Sequence, residues 1–253
     1  MDTRKLLMNK LLFILACLLP ISVVADDHVP VEPVISALYE CTLNDGVSVA
    51  DVVAFGSGAV KRFATKNELA MNSYLWEAIA VNQPYDEADV RWVNYFPTWT
   101  DYYATNATFA DKGSKVVGKF NELLSCEKPV IMAVQNLMSD LVVAQQKPLV
   151  GSVCNLNDGK TMQDAMMASS QLISLMNKSI DANVGGSVLT PAFGISGFDY
   201  VATFYGELED MTTLMDSVRD RSLPTALGKA GFQPAATCVN DLHMSHLLVQ
   251  QAQ

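Results

Sequence analysis

Metal chemistry has little to draw on in this chain, which carries 3 histidines and 5 cysteines in 253 residues. No Cys-x-x-Cys pair occurs and no histidine stands beside a cysteine at ligand spacing, so the usual zinc patterns are missing. Also missing are a Gly-x-Gly-x-x-Gly turn, a Walker loop, a Gly-x-Ser-x-Gly elbow and His-Glu-x-x-His. Their absence removes the readable marks of dinucleotide enzymes, P-loop ATPases, α/β-hydrolases and zincins. Positive charge is short as well: 17 Lys and Arg against 27 Asp and Glu leave a net charge of −10. That is the wrong sign for nucleic acid or an anionic membrane surface. Asp86, Glu87 and Asp89 crowd one loop but miss the spacing of a calcium-binding loop. Past residue 25 no apolar run reaches the roughly 18 residues of a membrane span.

What is present begins with an address. Arg4, Lys5 and Lys10 precede an apolar run from Leu11 to Val24, broken by Pro20 and Ser22 and closed by Val23-Val24-Ala25. Residues 1–25 therefore read as a secretory signal peptide cut before Asp26, and the mature protein as periplasmic or secreted. Ile14-Leu15-Ala16-Cys17 is a rival lipoprotein box, disfavoured by the bulk of Leu15 and by the apolar run continuing past Cys17. His28 falls just after the cut, in a tail. The mature chain keeps Cys41, Cys126, Cys154 and Cys238, an even number in an oxidising compartment, so disulfides are expected.

Cys41-Thr42-Leu43-Asn44-Asp45-Gly46 returns 113 positions later as Cys154-Asn155-Leu156-Asn157-Asp158-Gly159. After each turn a hydroxyl residue is followed three positions on by Asp, as Ser48/Asp51 and Thr161/Asp164, a capping box with Asp in place of Glu. A helix should start at both places. Its stripes align position for position: Val49, Val52, Gly56, Ala59, Val60 and Phe63, against Met162, Ala165, Ser169, Leu172, Ile173 and Met176. A second cysteine closes each copy, 85 and 84 residues after the first. The chain is one unit written twice. Three cysteine connectivities exist, and the repeat favours Cys41–Cys126 with Cys154–Cys238.

Around these anchors each copy reads strand, helix, strand, strand, helix, strand. The strands of the first are Pro33–Glu40, Ser73–Val81, Val90–Phe96 and Pro129–Val134; those of the second are Leu149–Val153, Ser187–Ile195, Phe198–Tyr205 and Leu242–Val249. Asn82–Asp89 and Ser196-Gly197 are the hairpin loops. The second helices cover Thr100–Leu124, interrupted at Gly113, and Leu208–Arg221; Thr98/Asp101 is a further capping box without a counterpart. The fold class is α+β: two tandem ferredoxin-like (βαββαβ) plaits. The first spans 26–138, a linker 139–148, and the second 149–253. In that topology the end of strand one and the start of strand four share a sheet edge, where both cysteine pairs fall. With helices on one sheet face, two copies can cover each other, and the arrangement resembles the dimeric α/β-barrel superfamily, here as a pseudo-dimer packed sheet to sheet. The resemblance rests on topology and duplication and covers the whole mature chain.

Candidate site residues come from an imbalance between the copies. The first holds Trp76, Trp92, Tyr95, Phe96, Trp99 and Tyr102; the second offers Tyr200 and Phe204 in the same region. By strand alternation Trp92, Asn94 and Phe96 share one face, and Val93 and Tyr95 take the other. These aromatics suit sheet packing or the lining of a cavity between the sheets for an apolar or planar ligand. His243 and His246, three apart on a strand, point to opposite faces, so a joint metal site is not expected. The superfamily resemblance includes haem-binding enzymes, and it makes either histidine a candidate haem ligand. Asn106-Ala107-Thr108 and Asn177-Lys178-Ser179 are glycosylation sequons placed on predicted helices. The leading expectation is an exported protein that binds a small apolar or aromatic molecule, needs no cofactor, spans no membrane and is compatible with a monomer. The alternative is an oxygenase-like or haem-linked enzyme of the barrel type using the same inter-sheet cavity.

Overall fold

The computed structural model describes residues 33–81, 88–137 and 146–251. The expected signal peptide, His28, most of the first hairpin loop (82–87) and residues 139–145 of the expected linker lie outside the described residues. Gln146, Lys147 and Pro148, the linker's end, already belong to a strand.

The first half runs β1 (Val34–Leu43), α1 (Val49–Phe55), a π-helical turn (Gly56–Val60), α2 (Lys61–Lys66), β2 (Asn72–Ala80), β3 (Val90–Phe96), α3 (Trp99–Lys112), α4 (Ser114–Leu123), β4 (Leu124–Cys126) and β5 (Val130–Asn136). The second runs β6 (Gln146–Leu156), α5 (Met162–Ile180), β7 (Gly185–Phe193), β8 (Tyr200–Tyr205), α6 (Leu208–Arg219), α7 (Ser222–Lys229) and β9 (Ala236–Val249). Both expected helix starts are capping boxes: the Ser48 and Thr161 hydroxyls accept from the N–H of Asp51 and Asp164, whose carboxylates accept in return from the cap backbone. At Thr98 the hydroxyl caps Asp101 N–H, while the Asp101 carboxylate accepts from the Thr98 hydroxyl at 2.6 Å. The helix break falls at Gly113. The segment 222–229, not expected from the sequence to be helical, forms α7.

Within each half the fourth strand flanks the first, the first pairs with the third and the third with the second, all antiparallel. The halves then join edge to edge, β2 to β9 and β5 to β7, so the sheet closes into a barrel. The expected barrel is present; what differs is how the halves meet, because strand edges of the two halves hydrogen-bond instead of two sheets lying face to face, and closure removes both open edges. The fourth strand is split in the first half, where the Pro129 stretch separates β4 from β5, and is unbroken in β9. Proline brings no N–H to a ladder.

The repeated hexapeptide has a structural task. Gly46 and Gly159 sit at φ +77° and +74°, a left-handed turn that glycine adopts without steric cost. Asn44 donates to the Asn121 carbonyl at 3.0 Å and accepts from Ser125 Oγ at 3.0 Å. Asn157 repeats both bonds, to the Pro234 carbonyl at 3.1 Å and from Thr237 Oγ1 at 2.9 Å. Beside them Cys41–Cys126 and Cys154–Cys238 are bonded. Asp89 and Asp199 accept from the N–H of Leu43 and Leu156 at 2.8 and 2.7 Å. Turn, asparagine and disulfide thus tie the end of strand one to the approach of strand four in each half. Two disulfides are consistent with an extracellular or periplasmic place. Among the described residues no helix is long and apolar enough to cross a membrane.

Strand alternation sends one set of side chains under the helices and the other into the barrel. The outer set forms the larger cores, with Val52, Phe55, Leu75, Trp92 and Phe96 in the first half, and Ala165, Val188 and Tyr200 or Met176, Met211 and Leu214 in the second. The inner set holds Leu38, Trp76, Val93 and Leu149, and separately Met132, Val134 and Leu189. The halves also interlock outside the barrel. A Cβ at Gly56 would stand 2.7 Å from Leu248 Cδ1, so the π-helical turn lies directly on β9.

Candidate functional site

Between sheet and helices each half has an equivalent space, and the two differ because of two positions. In the first half Tyr39 on β1 faces Trp92 on β3 across the ladder. Both side chains rise into the space beneath the helices, where Trp92 meets Phe120 at 5.2 Å and Phe55 at 6.5 Å. What remains is a cavity of about 260 Å³. In the second half the same ladder positions are Ser152 and Ala202. Two large rings become a hydroxymethyl and a methyl, and the cavity grows to about 500 Å³, within the range of small-molecule sites.

The larger cavity is floored by β6, β8 and β9 and roofed by α5, α6 and α7. Leu172, Met176, Met215, Val218, Leu223 and Phe232 make its apolar walls. No charged residue lines it, and its polar groups are few. Ser152 Oγ donates to Asn240 Oδ1 at 2.7 Å. Tyr200 is held by a hydrogen bond with Ser169, while burial pushes its phenol above the ordinary range. The methionines give flexible, polarisable walls. The site therefore suits an uncharged, mostly apolar molecule with one polar end directed at Ser152/Asn240 or Tyr200.

The aromatics singled out in the sequence divide among four places. Tyr200 and Phe204 line the large cavity, and Trp92 and Phe96 the small one. Trp76 and Tyr95 face the barrel interior. Trp99 is 38 % exposed at the start of α3, edge-on to Tyr102 at 5.9 Å and to Phe193 at 5.7 Å. The first half's aromatics thus fill their space instead of opening it. The sequence does contain a signal for the real opening: Tyr39 and Trp92 against Ser152 and Ala202, a loss of bulk visible only when the copies are compared for size.

Inside the barrel the halves differ again. Glu40, Arg91, Asp241, His243, Ser245 and Lys147 face inward, and the ladder registers place Val153, Val201, Val130, Met132, Val134 and Val34 at the equivalent positions. One wall is polar and the matching wall is apolar. Arg91 Nη1 lies 2.8 Å from His243 Nε2, and Arg91 Nε stands 3.5 Å from Glu40. A guanidinium can only donate, so Nε2 accepts and the ring proton sits on Nδ1, which has no hydrogen-bond partner among the described residues. Burial, then the neighbouring Arg91 charge, lowers the His243 pKa to about 4, a contact with the Glu77 backbone opposing weakly. His246 faces outward, with Nε2 2.9 Å from Glu77 Oε2. The two histidines take opposite faces of β9.

At the level of sequence no family model and no curated protein matches the chain. The fold, however, has relatives among solved structures. A candidate monooxygenase from Fusobacterium nucleatum superposes with a TM-score of 0.54 at 7 % identity, covering 86 % of this chain and 93 % of its own. A mutant chlorite dismutase from Candidatus Nitrospira defluvii gives 0.51 at 10 %, covering 85 % and 92 %. A candidate chlorite dismutase gives 0.50 at 11 %, covering 85 % and 94 %. The fold is that of the dimeric α/β-barrel proteins, with chlorite dismutase-like neighbours.

These neighbours overturn the expectation that no cofactor is involved. They point to haem, the group the superfamily resemblance implied. The described cavities do not fit that group by their residues. Neither His243 nor His246 lines either of these two cavities, and the 500 Å³ space offers no imidazole, no free thiol, and no Lys or Arg to meet propionates.

Proposed function

We propose that this is an exported enzyme of the barrel type, oxygenase-like in its substrate class, that takes a small uncharged apolar molecule into the cavity of the second half. The observation that carries the reading is the 500 Å³ apolar cavity opened by Ser152 and Ala202. Fold likeness to chlorite dismutases and a candidate monooxygenase supports an enzyme over a passive carrier, the second reading. The strand order in each half supports a pair of ferredoxin-like plaits, and the disulfides support export. The residues' part is to hold and orient. The walls exclude water, and Ser152, Asn240 and Tyr200 direct the substrate's polar end.

Native mass spectrometry on protein from its own compartment tests the reading, followed by aerobic incubation of the released molecule with fresh protein. An enzyme of this class returns a product that has gained oxygen from O2, the substrate acting as its own reductant, with the second oxygen atom released as water or kept in the product. A molecule carried and returned unchanged means a carrier, and one that binds equally well to Ala202→Trp places the site elsewhere.

A further inference from the structure

Lys147 is a cation where the other half has a valine. It is 8 % exposed and faces the barrel interior, opposite Ser245 in the ladder, just as Val34 stands opposite Val134. Its Nζ lies 4.3 Å from the centre of the Tyr205 ring and 5.9 Å from that of Tyr74. Tyr95 stands edge to face with Tyr74 at 5.8 Å. Leu38, Trp76, Val93 and Leu149 back these rings.

A buried ammonium is costly unless an anion meets it, and ring faces return only part of that cost. Among the described residues Lys147 makes no hydrogen bond and no ion pair; Glu207 acts on it only from the exposed start of α6. Yet the sealed, partnerless polar atoms of the described residues are Ser36 Oγ and His243 Nδ1, so Nζ still reaches solvent. Burial lowers the Lys147 pKa and raises those of all three phenols, Tyr74 to about 12. The phenols therefore remain neutral O–H donors. The ammonium and the phenols gather here, with Tyr205 hydrogen-bonded to Ser187, and among the described residues no carboxylate hydrogen-bonds the ammonium. Val34 shows that the barrel builds the same position without charge, so folding does not require the lysine.

We infer that Lys147, with Tyr74, Tyr95 and Tyr205, forms a second ligand site inside the barrel for a small planar organic carboxylate. The ammonium and phenols take the carboxylate oxygens, and the tyrosine and tryptophan rings take the planar body. The site is separate from the cavity of the second half and stands whether or not that cavity holds a substrate.

The test is isothermal titration calorimetry on the full mature protein with sodium benzoate, benzyl alcohol and inorganic phosphate, with thermal melts alongside. Benzoate should bind wild type and bind Lys147→Val roughly 10- to 100-fold more weakly, the loss of a charge-assisted bond. Benzyl alcohol and phosphate should bind far more weakly than benzoate. Lys147→Val should melt no lower than wild type, and Lys147→Met, which keeps the stem, should agree. Equal benzoate affinity in the variants, no benzoate binding to wild type, phosphate binding as tight as benzoate, or a lowered melting temperature in both variants would overturn the site.

Discussion

The two halves share the clasp that ties strand one to strand four and differ in the space beneath the helices. Turn glycine, asparagine bridge, capping box, aspartate latch and disulfide are duplicated almost bond for bond. The space beneath the helices is filled by Tyr39 and Trp92 in one half and left open over Ser152 and Ala202 in the other. Each half therefore serves as a control for the other. A position equal in both is scaffold, and one that changes from large to small or from apolar to charged is free to serve function.

The largest expected effect comes from carving the filled half. Trp92→Ala removes a side chain 4 % exposed between Phe55 and Phe120 and should cost about 3–5 kcal/mol in urea unfolding. A loss under about 1 kcal/mol would mean that the ring is not core. Removing either disulfide as a double serine variant should cost about 2–5 kcal/mol, and the two losses should be similar because the clasps are equivalent. A melting temperature unchanged by reduction would mean that neither clasp stabilises the fold.

The polar wall of the barrel gives a pH test. With the His243 pKa near 4 in the folded protein and about 6.5 unfolded, the unfolded chain binds the extra proton between those values. Stability is complete above about pH 6.5 and falls as pH drops toward 4, by about 3 kcal/mol from this residue. His243→Met, copying Met132 from the other half, should flatten that part of the pH–stability curve relative to wild type. Parallel curves would show that the histidine is not buried neutral. The smallest effects belong to the asparagine bridges: Asn44→Ala and Asn157→Ala should each cost about 1–2 kcal/mol, equally within error, by thermal melt.

Much of this architecture is legible in the sequence because its causes are local. Period-two strands, Ser48/Asp51 and Thr161/Asp164 caps, the Gly113 break and the cysteine spacing each act within a few residues or repeat at a fixed offset. Helix 222–229 is not legible from the repeat because its segment has no counterpart in the first half; its Pro224 lies in the first turn, where proline is tolerated. The barrel follows from the duplicated strand order, but the edge-to-edge pairings β2–β9 and β5–β7 that close it run between the halves, and no local pattern specifies them. Of the aromatics, Tyr200 and Phe204 line the larger cavity while Trp92, with Tyr39, occupies the space of the first half, and the opening lies where Ser152 and Ala202 leave it. A cavity is recorded in the sequence as missing volume, and only the duplicate makes that absence visible.

Binding stoichiometry of a neutral apolar dye such as Nile red distinguishes an open second half from a filled first one. Wild type should bind the dye at one site, Ala202→Trp at none, and Trp92→Ala at a second site if that variant remains folded by circular dichroism. Wild-type stoichiometry and affinity retained in a folded Ala202→Trp would contradict that difference between the halves.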